Sequence, residues 1–126
     1  MEPSQRSLFN PGEGARLRDI AIERVAQGAD ALWKRMAIVA VHEVAVEKAA
    51  FTTDEVEAKL AEMTTRQPKD KRALGAIMRA AATIGLILAT ERVKPSKIPQ
   101  NDRRPKRVWL SLVTSPHRAA TAAAGG

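Results

Sequence analysis

At Gly85 the hydrophobic period of the chain changes. Before it, Leu74, Ile77, Met78, Ala81 and Ile84 recur at helical spacing; after it, "LILATE" (86–91) and "KRVWLSLV" (106–113) alternate as strands do. A glycine at such a junction suits the left-handed residue that ends a helix. The chain is therefore expected to pass from helix straight into a β-hairpin, and any fold must be a helical body carrying that hairpin. The segment between the strands, "RVKPSKIPQNDRRP", holds three prolines and is expected to be an irregular tip. In the second strand Val108, Leu110 and Leu112 are expected on the core face, with Arg107, Trp109 and Ser111 on the other.

Three helical patterns precede this one. In 13–27, Asn10 can cap, Pro11 suits the first helical position, Glu13 has capping-box spacing and Gly28 can terminate; Leu17, Ile20, Ala21 and Val25 make the apolar stripe. In 30–50, Asp30 is the expected cap. Trp33, Met36, Ala37, Ala40 and Val44 form one apolar face, and Ile38, Val41 and Ala45 a second, as expected of a central helix. In 53–63 the signal is sharpest: Thr52 caps, Glu55 closes a capping box, and Phe51 with Val56 supplies a hydrophobic staple. The fourth helix is expected over 70–84 with Asp70 as its cap.

Charge is unevenly spread along these elements. Residues 1–65 contain eight Lys/Arg and eleven Asp/Glu, a net of −3; residues 66–126 contain thirteen and three, a net of +10. A merely solvated face usually intersperses acids among its bases. Here the acids are nearly missing, which points to a polyanion partner. The outward stripe of 70–84 is Arg72, Ala76, Arg79 and Thr83, flanked by Lys69 and Lys71. The hairpin adds Arg92, Lys94, Lys97, Arg103, Arg104, Lys106 and Arg107.

Several function classes are disfavoured. With no cysteine and two isolated histidines there is neither a disulfide framework nor a thiolate metal site, and no metal or cofactor is implied. His42 with Glu43 and Glu47 has no further ligand at metal spacing, and Gly12 and Gly14 precede no phosphate-loop lysine. The basic half offers only Asp70, Glu91 and Asp102, too dispersed to hold catalytic metal ions, so no enzymatic activity is expected. The apolar run Met36–Val41 is too short for a membrane span, and the N-terminus lacks signal-peptide order, so a cytoplasmic protein is expected. Hydrophobic residues reach 44%, enough for one core, but with two Phe, two Trp and no Tyr the packing must rest on alanine and aliphatic side chains.

Helix, helix, capped helix, loop, basic helix and basic hairpin follow in the order of a winged helix-turn-helix domain with an additional N-terminal helix, and from Thr52 onward the chain resembles that superfamily. The segments "RALGAIMRAAATIGLI" and "RRPKRVWLSL" also resemble small winged-helix proteins of actinobacterial phages. The resemblance implies a mainly α fold with a small β-hairpin, helix 70–84 in the major groove of double-stranded DNA, and the 86–113 hairpin as a wing on backbone or minor groove. It implies a phage or mobile-element transcriptional regulator or DNA-metabolism accessory factor. The expected organisation is a flexible segment 1–12, a domain 13–113 and a disordered tail 114–126. The breadth of the apolar surface on 30–50 suggests a homodimer through helices 13–27 and 30–50. The rival reading is a protein-interaction winged helix whose charge meets an acidic replication or transcription protein.

Overall fold

The chain runs α1 (Pro11–Val25), α2 (Ala31–Glu47), β1 (Ala50–Phe51), α3 (Thr53–Met63), α4 (Ala73–Ile84), β2 (Ile87–Pro95) and β3 (Pro105–Ser111) in a computed structural model that describes residues 11–68, 72–96 and 104–114. It is mainly helical, with one small antiparallel sheet of strand order β1-β3-β2. The two-residue strand β1 was not expected. Its residues had been assigned to the end of the second helix and to a staple, but α2 stops at Glu47 and Ala50 and Phe51 pair with Leu110 and Trp109.

α2 is the hub. α1, α3, α4, β1 and β3 all pack on it, and α3 and α4 each pack more heavily on α2 than on one another. Trp33, Ala37 and Ala40 on one face and Ile38, Val41 and Ala45 on the other are all buried, so the expectation of a central helix with two apolar faces is met. The apolar residues of α2 that suggest a homodimer are thus covered within the chain itself. On α1 and α2 the large hydrophobics left exposed among the described residues are Ile20 and Leu32, single side chains of the kind any surface carries.

Helix ends agree with the sequence where side chains set them and differ where they do not. At α3 the capping box forms: the Thr52 hydroxyl accepts from the Asp54 N–H at 3.1 Å and the Glu55 carboxylate accepts from the Thr52 N–H at 2.8 Å. Phe51 and Val56, the staple pair, are both buried in the core. Burial alone would push the Glu55 carboxyl up, but the bonds from Thr52, its own N–H and the charge of Lys94 outweigh this and hold it below its ordinary value. α4 ends in a Schellman motif, with Gly85 at φ 104°, its N–H on the Ala82 carbonyl at 3.1 Å and the Leu86 N–H on the Ala81 carbonyl at 3.0 Å. Asp30, by contrast, takes a left-handed conformation at the start of α2 and makes no side-chain cap bond. α1 begins at Pro11 and ends at Val25, before Gly28, and its proposed cap Asn10 lies outside the described residues. Arg72, not Asp70, occupies the cap position of α4, so the connection from α3 spans 64–72 and is longer than expected; Asp70 itself lies outside the described residues.

The hairpin departs from its sequence reading in two ways. First, β2 continues through Arg92, Val93 and Lys94 to Pro95, which pairs with Pro105. The prolines are tolerated because Pro95 sits on an edge strand and Pro105 is the first residue of β3. Between Ala89, opposite Trp109, and Val93, opposite Arg107, β2 carries extra residues as a bulge. There the Thr90 hydroxyl donates to the Val108 carbonyl at 2.6 Å and accepts from the Arg92 N–H at 3.1 Å. A side chain thus supplies bonds that the interrupted ladder lacks. Second, β3 buries residues of both parities: Val108 is buried at 4% exposure, as expected, but so is Trp109, which was expected on the other face. Trp109 is 7% exposed and belongs to the core with Phe51, and Ser111 donates to the Ala45 carbonyl on α2 at 2.6 Å. Leu110 lies between exposed Ala50 and Leu88, the latter 50% exposed, on the outer face.

At the chain ends, Pro11 and Gly12 belong to α1, and Thr114 is buried, its hydroxyl shared between the Ala45 and Lys48 carbonyls at 2.9 and 3.1 Å. These three therefore leave the expected flexible segment and tail, whose other residues lie outside the described ones. A buried latch fixes the far end of the hairpin. The Ser96 hydroxyl faces both carboxylate oxygens of Asp54, at 3.0 Å each, and the Ser96 N–H bonds the Arg104 carbonyl at 3.0 Å. Ser96 is 1% exposed. Ser96→Ala is expected to lower stability by about 1.5–3 kcal/mol, the range for a hydrogen bond to a charged group, in urea unfolding.

Candidate nucleic-acid interface

The side chains opposite the buried stripe of α4 are where their spacing places them. Ile77, Met78 and Ala81 are buried, while Arg72, Ala76, Arg79 and Thr83 are all exposed. Thr83 turns its hydroxyl proton inward, onto the Arg79 carbonyl at 3.0 Å, and keeps its oxygen lone pairs for an outside donor. Ala76, between the two arginines, leaves the helix surface low enough for close approach by a ligand.

Beside this face runs a groove of about 540 Å³, bounded by the N-terminal half of α4, the first turns of α3 and the start of β3. Leu74, Met78 and Trp109 give it an apolar floor, and Arg79, Lys106 and Arg107 bring cations to its walls. Arg79 reaches the groove by lying along its own helix. A Cβ on Gly75 would lie 3.6 Å from Arg79 Nη1, so the arginine runs back along the helix over the glycine, the direction helical side chains prefer. On the facing wall the Arg107 guanidinium stands 5.9 Å from the centroid of the Trp109 ring, a cation–π contact. The tryptophan is thus a packing residue and also the platform that aims Arg107.

Neither Arg79 nor Arg107 forms an ion pair among the described residues. Three acidic residues gather around one lysine elsewhere. Lys59 lies 4.0, 3.9 and 3.8 Å from carboxylate oxygens of Glu43, Glu47 and Glu62, collecting negative charge on α2 and α3. One carboxyl, Glu57, does line the groove, half-buried. Burial pushes it above its ordinary value, with Lys106 pulling it down and Asp54 pushing it up.

Of the residues expected to meet DNA, the fold therefore unites Arg79, Lys106 and Arg107 in one groove, with Arg72 and Thr83 exposed on the same helix as Arg79. Lys94 pairs across the ladder with Lys106 and sits near Glu55; Arg104 is exposed beside Ser96, and Arg92 is exposed in the bulge. Neither Arg92 nor Arg104 lines the groove. Lys69, Lys71, Lys97 and Arg103 lie outside the described residues. Sequence reading missed Gly75 and Glu57. The first carried a signal, a glycine four residues before an arginine within a basic helix; the second carried none, because nothing along α3 shows that β3 folds back against it.

His42 is no alternative site. Burial and Arg18 lower its imidazole from the ordinary value while Asp19 opposes them, and no group of three or more His, Cys, Asp or Glu that could hold a metal occurs among the described residues. No helix among these residues is long and apolar enough to cross a membrane. Comparison of the chain with protein-family models, with curated proteins and with solved structures finds no match.

Proposed function

We propose that the chain is a DNA-binding protein of the winged helix-turn-helix type, with α4 entering the major groove and the β2–β3 hairpin acting as the wing on the phosphate backbone. The observation that carries this reading is the convergence on one groove of Arg79 from α4 and Arg107 from the hairpin, neither in an ion pair among the described residues, next to the exposed face of Arg72, Ala76 and Thr83. Two elements distant in sequence present cations to one ligand, which is how a nucleic-acid backbone is gripped. The net of +10 over residues 66–126 supplies the long-range attraction. The role as a phage or mobile-element regulator or accessory factor rests on the resemblance over about residues 50–113 alone. An acidic protein is the rival occupant of the same groove, since its carboxylates would meet the same cations.

Selection of bound fragments from random DNA at two salt concentrations tests the proposal. A recurring sequence family, with affinity falling linearly in log salt, is the expected result. Recovery of no DNA even at low salt would sink it. Recovery without sequence preference would leave a charge-driven binder, in keeping with the lack of Asn and Gln on the exposed stripe of α4.

A further inference from the structure

Glu57 is out of place in a groove for an anion. Its carboxyl lines the same walls as Arg79, Lys106 and Arg107, and it forms no ion pair among the described residues. The charged groups around it come from three elements. On α3 itself Asp54 lies one turn earlier, its carboxylate held by Ser96; β3 brings Lys106 and Arg107; α4 brings Arg79. A phosphate drawn into the groove by these cations meets the Glu57 carboxylate in a half-buried setting, where screening by water is weak.

We propose that Glu57 makes DNA binding proton-linked: a backbone phosphate seats between Arg79 and Arg107 when the Glu57 carboxyl is neutral, so binding takes up a proton there wherever the free protein holds that carboxyl ionised. The proton comes from the buffer and returns to it on release. This rests on the DNA-binding reading and adds to it a form of regulation that charge counting along the chain does not contain.

The free protein is already biased this way. Burial raises the Glu57 carboxyl, Lys106 opposes and Asp54 assists, so the proton is held at a higher pH than on an ordinary glutamate. A phosphate alongside raises it further. Between the free and bound values the complex carries a proton that the free protein lacks, so affinity rises as pH falls through the bound value and levels off below the free value. The opposite sign would require a phosphate to favour the ionised carboxylate, which like charges forbid.

The test is DNA binding by the whole chain at fixed ionic strength, from the ordinary carboxylate range up to neutrality, for the wild type and Glu57→Gln. Wild-type affinity is expected to fall as pH rises, by up to about tenfold per pH unit within the window, the limit for one linked proton. Glu57→Gln, neutral throughout, is expected to lose this component and to bind more tightly than wild type at the upper end. Other titrating groups, His42 among them, are common to both chains and cancel in the difference. Calorimetry of the wild type in two buffers of different ionisation enthalpy counts the protons directly and needs no variant; an uptake approaching one supports the proposal. Equal pH dependence in the two chains, or no proton uptake, overturns the linkage while leaving DNA binding in place. Failure of both chains to bind DNA at any pH at low salt overturns the DNA reading and the linkage with it.

Discussion

Replacing Trp109 with alanine is expected to lower stability by about 3–5 kcal/mol, the largest effect of any single change considered for this chain. A domain of this size commonly has only about 5–15 kcal/mol in all, so the variant should unfold at much lower urea concentration or temperature. The reason is position. Trp109 is 7% exposed on the middle strand of the sheet, paired with Phe51 of β1 on one side and Ala89 of β2 on the other, and it contributes to the core and to the groove floor. Two strand pairings and the support of Arg107 depend on one indole. Leu110→Ala, the neighbouring residue on the outer face beside exposed Ala50 and Leu88, is expected to cost well under half as much. Measured unfolding midpoints for the two variants therefore also decide the pleat. If Leu110→Ala proved the more damaging, the core face of β3 would be the one its aliphatic alternation suggests.

The burial of both Val108 and Trp109 shows where local sequence stops being informative. The run "KRVWLSLV" has apolar residues at both parities, Val108, Leu110 and Leu112 on one and Trp109 on the other, and a shift of one residue exchanges the faces. The choice is made by β1, a strand of two residues that no periodicity can reveal, because it places Phe51 beside Trp109. The start of α3 and the end of α4 were legible for the opposite reason. Their bonds are made by Thr52, Glu55 and Gly85 within a few residues of the helix they punctuate. Asp30 has the right chemistry for a cap yet adopts a left-handed backbone at the turn from α1, where the connection between helices overrides local preference. The same division holds at the candidate site. The exposed face of α4 follows from a period of 3.6, and its basic character is visible in the residues. The groove requires knowing that β3 returns against α3 and α4, a contact between residues dozens of positions apart, and so Glu57 and the Asp54–Ser96 latch stayed hidden.

The geometry of the groove also separates contacts that grip from contacts that read. By sequence, Arg72 and Arg79 share one helix stripe and would share one role. In the fold, Arg79 lies back over Gly75 toward the hairpin, in the groove with Arg107, whereas Arg72 stands at the N-cap of α4. Arg79→Ala and Arg107→Ala are accordingly expected to weaken binding to a selected DNA site and to a scrambled one by the same factor, and each to flatten the dependence of log affinity on log salt by about one unit, the signature of a lost phosphate contact. The preference stays while the affinity falls. Arg72→Ala is expected to erode the preference itself, by roughly 1–3 kcal/mol for a bidentate contact to a base edge, because the first turn of a helix in the major groove is the part that reaches the bases. Titrations of each variant against both DNAs at several salt concentrations measure the two effects apart. Unchanged affinity and salt slope in Arg79→Ala and Arg107→Ala would mean that these cations are not held for a phosphate backbone, and an acidic protein would then be the better occupant of the groove.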